Sequence, residues 1–134
     1  MTQPNSPEEV PACCTSDSSR TVLLYACSGA SNTGEIADLA ARELSRAGDG
    51  RMFCQAGLGA SVEPMIQVAR DADLNVVIDG CAMECGKKLF EKQGLANYVQ
   101  IKVTDLDIAK EKGVRATGEQ VAVTIAKVRE VMEQ

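Results

Sequence analysis

The stretch LNVVIDGCAMECG, residues 74–86, leads from an apolar strand directly into a turn that holds two cysteines. LNVVID (74–79) and TVLLYAC (21–27) are mostly apolar runs, which are typical of parallel strands covered on both faces. RMFC (51–54) predicts a short strand, and YVQIKV (98–103) predicts another. The sequence therefore predicts four strands, each followed by a turn.

Helical patterns separate these strands. Helices are predicted from an N-cap at Thr33 to Gly48, from an N-cap at Ser61 to about Ala72, over residues 82–92, and from the capping box of Thr117 and Gln120 onward. The glycine-bearing segment AGLGA (56–60) is expected to be a loop. Regular alternation of strands and helices predicts an α/β fold: a single small three-layer domain with a mostly parallel four-stranded sheet, built from Rossmann-like or flavodoxin-like βα units.

The predicted domain spans residues 20–134, and residues 1–19 are expected to form a flexible N-terminal tail. This first segment is rich in proline, serine, threonine and acidic residues and has no hydrophobic periodicity. It also lacks the basic and apolar regions of a secretory signal. Since no apolar stretch approaches the length of a membrane span, we expect a cytoplasmic protein without a membrane partner.

The composition limits the partners and the kind of site that we expect. The chain has 14 basic and 19 acidic residues, a net charge of −5, and no basic run, so a nucleic-acid partner is not expected. It contains six cysteines and no histidine. In a reducing compartment, cysteines in such number are more typical of metal binding or redox chemistry than of a disulfide framework.

Four of the cysteines fall at the ends of predicted strands. Cys27 and Cys54 end the first and second strands, Cys81 follows the third, and Cys85 comes four residues later, giving the spacing C-x26-C-x26-C-x3-C. The carboxyl ends of parallel strands lie along one edge of a sheet, where α/β proteins bind ligands. The topology therefore predicts that these thiols meet at one edge.

Such a set of thiols permits several functions. Four thiolates suit a tetrahedral Zn²⁺ site, and helix N-termini together with Lys87 and Lys88 would offset its negative charge. The chief alternative is a thiol–disulfide oxidoreductase with Cys27 as nucleophile and Cys81 or Cys85 as the resolving thiol. An iron–sulfur cluster, a metal-dependent sensor or interaction module, and simple core packing of cysteine are further alternatives. The residues leave open whether the protein is an enzyme.

Three segments also resemble a known family. ACSGASNTGEIAD (26–38), MFCQAGLGAS (52–61) and IDGCAMECGKKLFEKQGL (78–95) are similar to the zinc-binding DGC-domain family, named after the triplet that here is Asp79-Gly80-Cys81. The resemblance covers about residues 22–108. It implies that Cys27, Cys54, Cys81 and Cys85 are the metal ligands, whereas Ala82 stands where members often carry proline.

Other polar and sulfur-containing residues have less specific interpretations. Asp79 can orient the Cys81 loop through its amides or can form an ordinary Asx turn. The polar loop before the first helix (Ser28, Ser31, Asn32 and Thr33) is better explained by helix capping than by an anion site. The adjacent Cys13 and Cys14 have no assigned role. Met52, Met65 and Met83 are expected to fill the core.

Overall fold

A computed structural model describes residues 20–133 and shows one four-stranded sheet with helices on both faces. The strands are β1 (Val22–Ala26), β2 (Arg51–Met52), β3 (Leu74–Asp79) and β4 (Tyr98–Lys102). The helices are α1 (Asn32–Arg46), α2 (Gln55–Gly59), α3 (Glu63–Asp71), α4 (Cys85–Lys92) and α5 (Gly118–Met132), with a 3₁₀ turn at Val103–Leu106.

The sheet has the order β2-β1-β3-β4, and all of its neighbouring strands are parallel. The α/β prediction is therefore confirmed, and the sheet is fully rather than mostly parallel within the described residues. The predicted tail over residues 1–19 lies outside the described residues, as do Cys13 and Cys14.

Each face of the sheet is covered by its own apolar cluster. Side chains of α1 and α5 pack on one face, where Leu24 and Ile78 are fully buried. The short helices α2, α3 and α4 cover the other face, where the Tyr25 and Phe90 rings meet edge to face with centroids 5.0 Å apart. Aliphatic burial on both faces explains why the central strands are almost wholly apolar.

Helix α5 begins as its sequence predicts. The Thr117 hydroxyl accepts a hydrogen bond from the amide of Gln120, and the Gln120 side chain accepts one from the Thr117 amide, which completes a capping box. Helix α1 is capped by Ser31 rather than by Thr33, because the Ser31 hydroxyl accepts from the Gly34 amide. Thr33 is instead buried within the first turn.

Two further predictions, for the opposite face of the sheet, are wrong. Residues 55–59 form helix α2, although their glycines favour a loop. Leu58 is fully buried, and this tertiary packing outweighs the poor helix propensity of glycine. Ser61 does not cap α3; it has a φ of 60°, and the N-cap position is occupied by Val62, which makes no side-chain capping bond.

The turn between β3 and α4 also departs from the sequence prediction. Helix α4 begins at Cys85, not at Ala82, and Glu84 before it lies in the left-handed region with φ 52° and ψ 46°. Met83 is 61% exposed and so is not part of the core, whereas Met52 and Met65 pack against the two clusters. Cys81 and Cys85 therefore flank a turn instead of lying one turn apart on a single helix.

Gly34 allows the first turn of α1 to approach the loop that follows β1. A Cβ atom at Gly34 would lie 2.8 Å from both the backbone nitrogen and the carbonyl oxygen of Gly29. Because backbone atoms cannot rotate away, we expect Gly34→Ala to lower the free energy of unfolding by about 1–3 kcal/mol. Urea denaturation monitored by circular dichroism measures this loss.

Gly118→Ala is the matched control, since Gly118 lies in the first turn of the other 15-residue helix and a Cβ there meets nothing within 4 Å. This variant should be neutral or stabilised by up to about 1 kcal/mol, because alanine is the better helix former. Equal stability of the two variants would contradict the close approach of Gly34 to Gly29.

Candidate functional site

The four predicted site cysteines lie at the carboxyl edge of the sheet, and we call Cys27, Cys54, Cys81 and Cys85 the thiol rim. The Cys27 amide donates to the carbonyl of Ile78 at 3.0 Å, so the β1–β3 ladder continues past β1 and places Cys27 beside the end of β3. Cys81 lies two residues beyond β3. The central strands thus bring two of the four cysteines to neighbouring positions.

Cys54 and Cys85 lie at the starts of two helices, α2 and α4, that cover the same face of the sheet. Cys54 is the N-cap residue of α2, and Cys85 is the first residue of α4. The starts of these helices are in contact: a Cβ at Gly86 would lie 3.0 Å from the Gln55 Oε1 atom. Both thiols are exposed, whereas those of Cys27 and Cys81 are partly buried.

The environment of Cys27 contains both donors and negative charges. Burial raises the pKa of the Cys27 thiol, and backbone hydrogen bonds from Gly80 and Gly29 oppose this effect. Cys85 and Asp79 lie close enough for their negative charges to raise the pKa further. Amide donors and negative charges therefore have opposite effects on the pKa of the Cys27 thiol.

Lys110 is the cation that contacts the thiol rim. Its Nζ atom donates to the Cys81 sulfur at 3.4 Å. Buried Asn32 holds the segment that carries Lys110, because the Asn32 side chain donates to the Ala109 carbonyl at 2.9 Å and accepts from the Glu111 amide at 2.6 Å. The sequence points to Lys87 and Lys88 and does not mark Lys110, which donates to Cys81 from 29 residues away along the chain.

Asp79 is buried, with 1% of its surface exposed, and it binds the start of α4. Its Oδ1 accepts from the Gly86 amide at 2.8 Å, and its Oδ2 accepts from the Lys87 amide at 3.2 Å. This is not an Asx turn, since the bonded amides are seven and eight residues ahead. Asp79 is instead a helix-capping group supplied by the strand, and it fixes where Cys85 lies.

A second carboxylate lies in the turn itself. Glu84 Oε2 accepts from Gln100 Nε2 at 3.2 Å and from Lys102 Nζ at 3.3 Å, and these hydrogen bonds lower the pKa of Glu84. Gln100 Nε2 also donates to Asp79 Oδ2 at 2.8 Å. Sequence patterns did not identify Gln100 or Lys102, because only the β3–β4 register places them beside Asp79.

The donor chemistry of the rim fits zinc, which thiolates bind well and which needs no histidine. The two nearby carboxylates already accept hydrogen bonds, Asp79 at both of its oxygens and Glu84 at Oε2. Within residues 20–133, however, no three or more cysteine, aspartate or glutamate side chains are grouped so that they could hold one metal ion. The fold brings the four cysteines to one edge without gathering their sulfur atoms around a point.

Three buried polar atoms of the described residues have no hydrogen-bond partner, and two of them belong to Tyr25 and Gln55. Tyr25 Oη and Gln55 Oε1 have no hydrogen-bond partner within the described part of the chain. Burial also raises the pKa of Tyr25 above its ordinary value, so its phenol stays protonated. Gln55 adjoins both Cys54 and Gly86, and its orphaned oxygen faces the start of α4.

Removing the Asp79 carboxylate should cost stability because buried donors would lose their acceptor. We expect Asp79→Ala to lower the free energy of unfolding by about 2–3 kcal/mol, measured by urea denaturation. Asp73→Ala is the control: Asp73 is exposed and accepts one backbone hydrogen bond, from Thr21 at 2.7 Å, so its loss should cost about 0.5–1 kcal/mol. Equal losses would show that Asp79 does not hold α4.

Comparison with known proteins agrees with the sequence motifs. The family model described as the DGC domain matches residues 23–128. The chain is also similar to the anaerobic and virulence modulator AnvM of Pseudomonas aeruginosa, with 31% identity over 91 residues that cover 68% of this chain and 70% of that protein. No solved structure matches the chain.

No helix among the described residues is long and apolar enough to cross a membrane. The matched region contains the sheet except for Val22, helices α1 to α4, and all four cysteines of the thiol rim. The chain therefore belongs to the DGC domain family.

Proposed function

We propose that this protein binds one zinc ion through Cys27, Cys54, Cys81 and Cys85. The observation that carries the proposal is the convergence of these cysteines on one edge of a parallel sheet from three strand ends and one helix start. Binding would require the thiols to turn toward a common centre. The ion would supply the charge that holds four thiolates together, and four ligands would leave no open position for water.

Several groups of the chain support a site of this charge. Four thiolates around Zn²⁺ carry a net charge of −2, which needs donors or cations nearby. The Gly29 and Gly80 amides already donate to Cys27, and the Lys110 ammonium group already contacts Cys81. The proposal places the protein in the cytoplasm, where thiols are kept reduced and available for metal.

The proposed use of this site is regulatory. AnvM is named as a modulator, and we extend that description to the present chain: a closed site of four thiolates suits a sensor or interaction module better than a catalyst. Metal binding would order the thiol rim, and metal loss would release it.

A thiol–disulfide function is the second candidate, because Cys27 lies beside the end of β3, next to the segment that carries Cys81 and Cys85. Formation of a disulfide between two rim cysteines would pass two electrons and two protons to a disulfide of a partner protein, which would be reduced to two thiols.

Elemental analysis of protein purified without chelator tests the zinc proposal. We expect about one zinc per chain, and four of the six thiols should react with a thiol reagent only after a chelator removes the metal. Each single change of a rim cysteine to serine, Cys85→Ser included, should lower zinc affinity sharply, because serine is a poor zinc ligand at neutral pH.

Ala82→Ser is the control, since it adds a hydroxyl group at an exposed position of the same turn and keeps all four thiols. Its zinc content should equal that of the unchanged protein. Negligible metal, together with a reversible disulfide that disappears in Cys27→Ser, would instead establish the thiol–disulfide function.

A further inference from the structure

We infer that Glu84 and Gln100 are positioning residues for the thiol rim. Together with Asp79 and Lys102 they form what we call the β4 clamp, which holds the turn between Cys81 and Cys85 in a strained conformation. The inference deepens the proposed zinc site, and it rests on that function only for its metal-binding readout.

The strain lies at Glu84. Its backbone is left-handed, with φ 52° and ψ 46°, immediately before Cys85. Glycine enters this region freely and asparagine enters it readily, but glutamate pays a steric cost there. Such a conformation persists only where the surroundings impose it. A turn needed only to start α4 would be held at lower cost by glycine.

The β4 clamp supplies that constraint through one side-chain amide. Gln100 Nε2 donates to Asp79 Oδ2 at 2.8 Å and to Glu84 Oε2 at 3.2 Å, so both of its protons are used. Lys102 Nζ adds a third bond, to Glu84 Oε2 at 3.3 Å. A single amide group therefore links the carboxylate that precedes Cys81 to the carboxylate that precedes Cys85.

The register of β4 explains why the clamp lies beneath the cysteine turn. Val77 pairs with Gln100 and Asp79 pairs with Lys102, so both β4 side chains project from the face of the sheet that α4 covers. Asp79 at the same time accepts from the first amides of α4. Moving Gln100 would thus disturb both ends of the segment that carries Cys81 and Cys85.

Zinc affinity measured by competition with a chromophoric chelator tests the β4 clamp, using Gln100→Leu, Glu84→Gly and the double variant. Removing a group that orients metal ligands without binding the metal lowers metal affinity by about 10- to 100-fold. We expect zinc affinity to fall within this range for each single variant. Because both act through the same clamp, the double variant should lose much less than the product of the two. Gln67→Leu makes the same side-chain change on the exposed face of α3 and should leave affinity unchanged.

Cobalt substitution and thiol alkylation distinguish positioning from simple stability. The Co²⁺ visible spectrum of Gln100→Leu should shift relative to that of Gln67→Leu, at a temperature where both are folded. In metal-stripped protein, the alkylation rate of Cys85, resolved by mass spectrometry, should change severalfold in Gln100→Leu and Glu84→Gly.

Lower melting temperatures with unchanged affinity, spectrum and alkylation rate would overturn the inference, since they would indicate a structural role alone. Failure of the unchanged protein to bind zinc would overturn the proposed function instead. The alkylation rates would then decide the β4 clamp by themselves: unchanged rates would refute it, and altered rates confined to the clamp variants would support it.

Discussion

The buried carboxylate of Asp79 is the group on which the geometry of the cysteine turn depends. A charge with 1% exposure is unfavourable in an apolar layer unless hydrogen bonds replace the lost water. Two amides of α4 and one amide group of β4 provide those bonds. Helix α4 therefore starts where the carboxylate can reach its amides, and this fixes Cys85 relative to β3.

This arrangement constrains the residues around it. Gly86 must lack a side chain, since a Cβ there would lie 2.5 Å from Val77 and 2.8 Å from Asp79 Oδ1. The same close packing brings Gln55 against α4 and so draws the start of α2, with Cys54, toward the other cysteines. The position of Cys85 thus follows from the hydrogen bonds between Asp79 and the amides of α4.

The order of the strands decides how the cysteines are distributed. With β1 and β3 adjacent at the centre, the Cys27 amide donates to the Ile78 carbonyl, and Cys27 lies beside the end of β3. Cys54 follows the edge strand β2 and is exposed, whereas Cys27 is partly buried. The four thiols of the rim therefore differ in their exposure to solvent.

The sequence alone determined the α/β class, the parallel sheet, the capping box of α5 and the position of four cysteines at one edge, because these follow from continuous apolar runs, the 3.6-residue period of helices, capping residues and the handedness of βα units. Helix α2, the late start of α4 and the exposure of Met83 were not predictable, since they depend on burial of Leu58 and on the bonds of Asp79. Lys110 reaches the rim from a distant part of the chain, Gln100 and Lys102 reach the carboxylates beside it, and no local pattern marks any of the three. Only tertiary structure decides which polar side chains surround the cysteines, because those contacts depend on strand register and loop docking rather than on spacing in the chain.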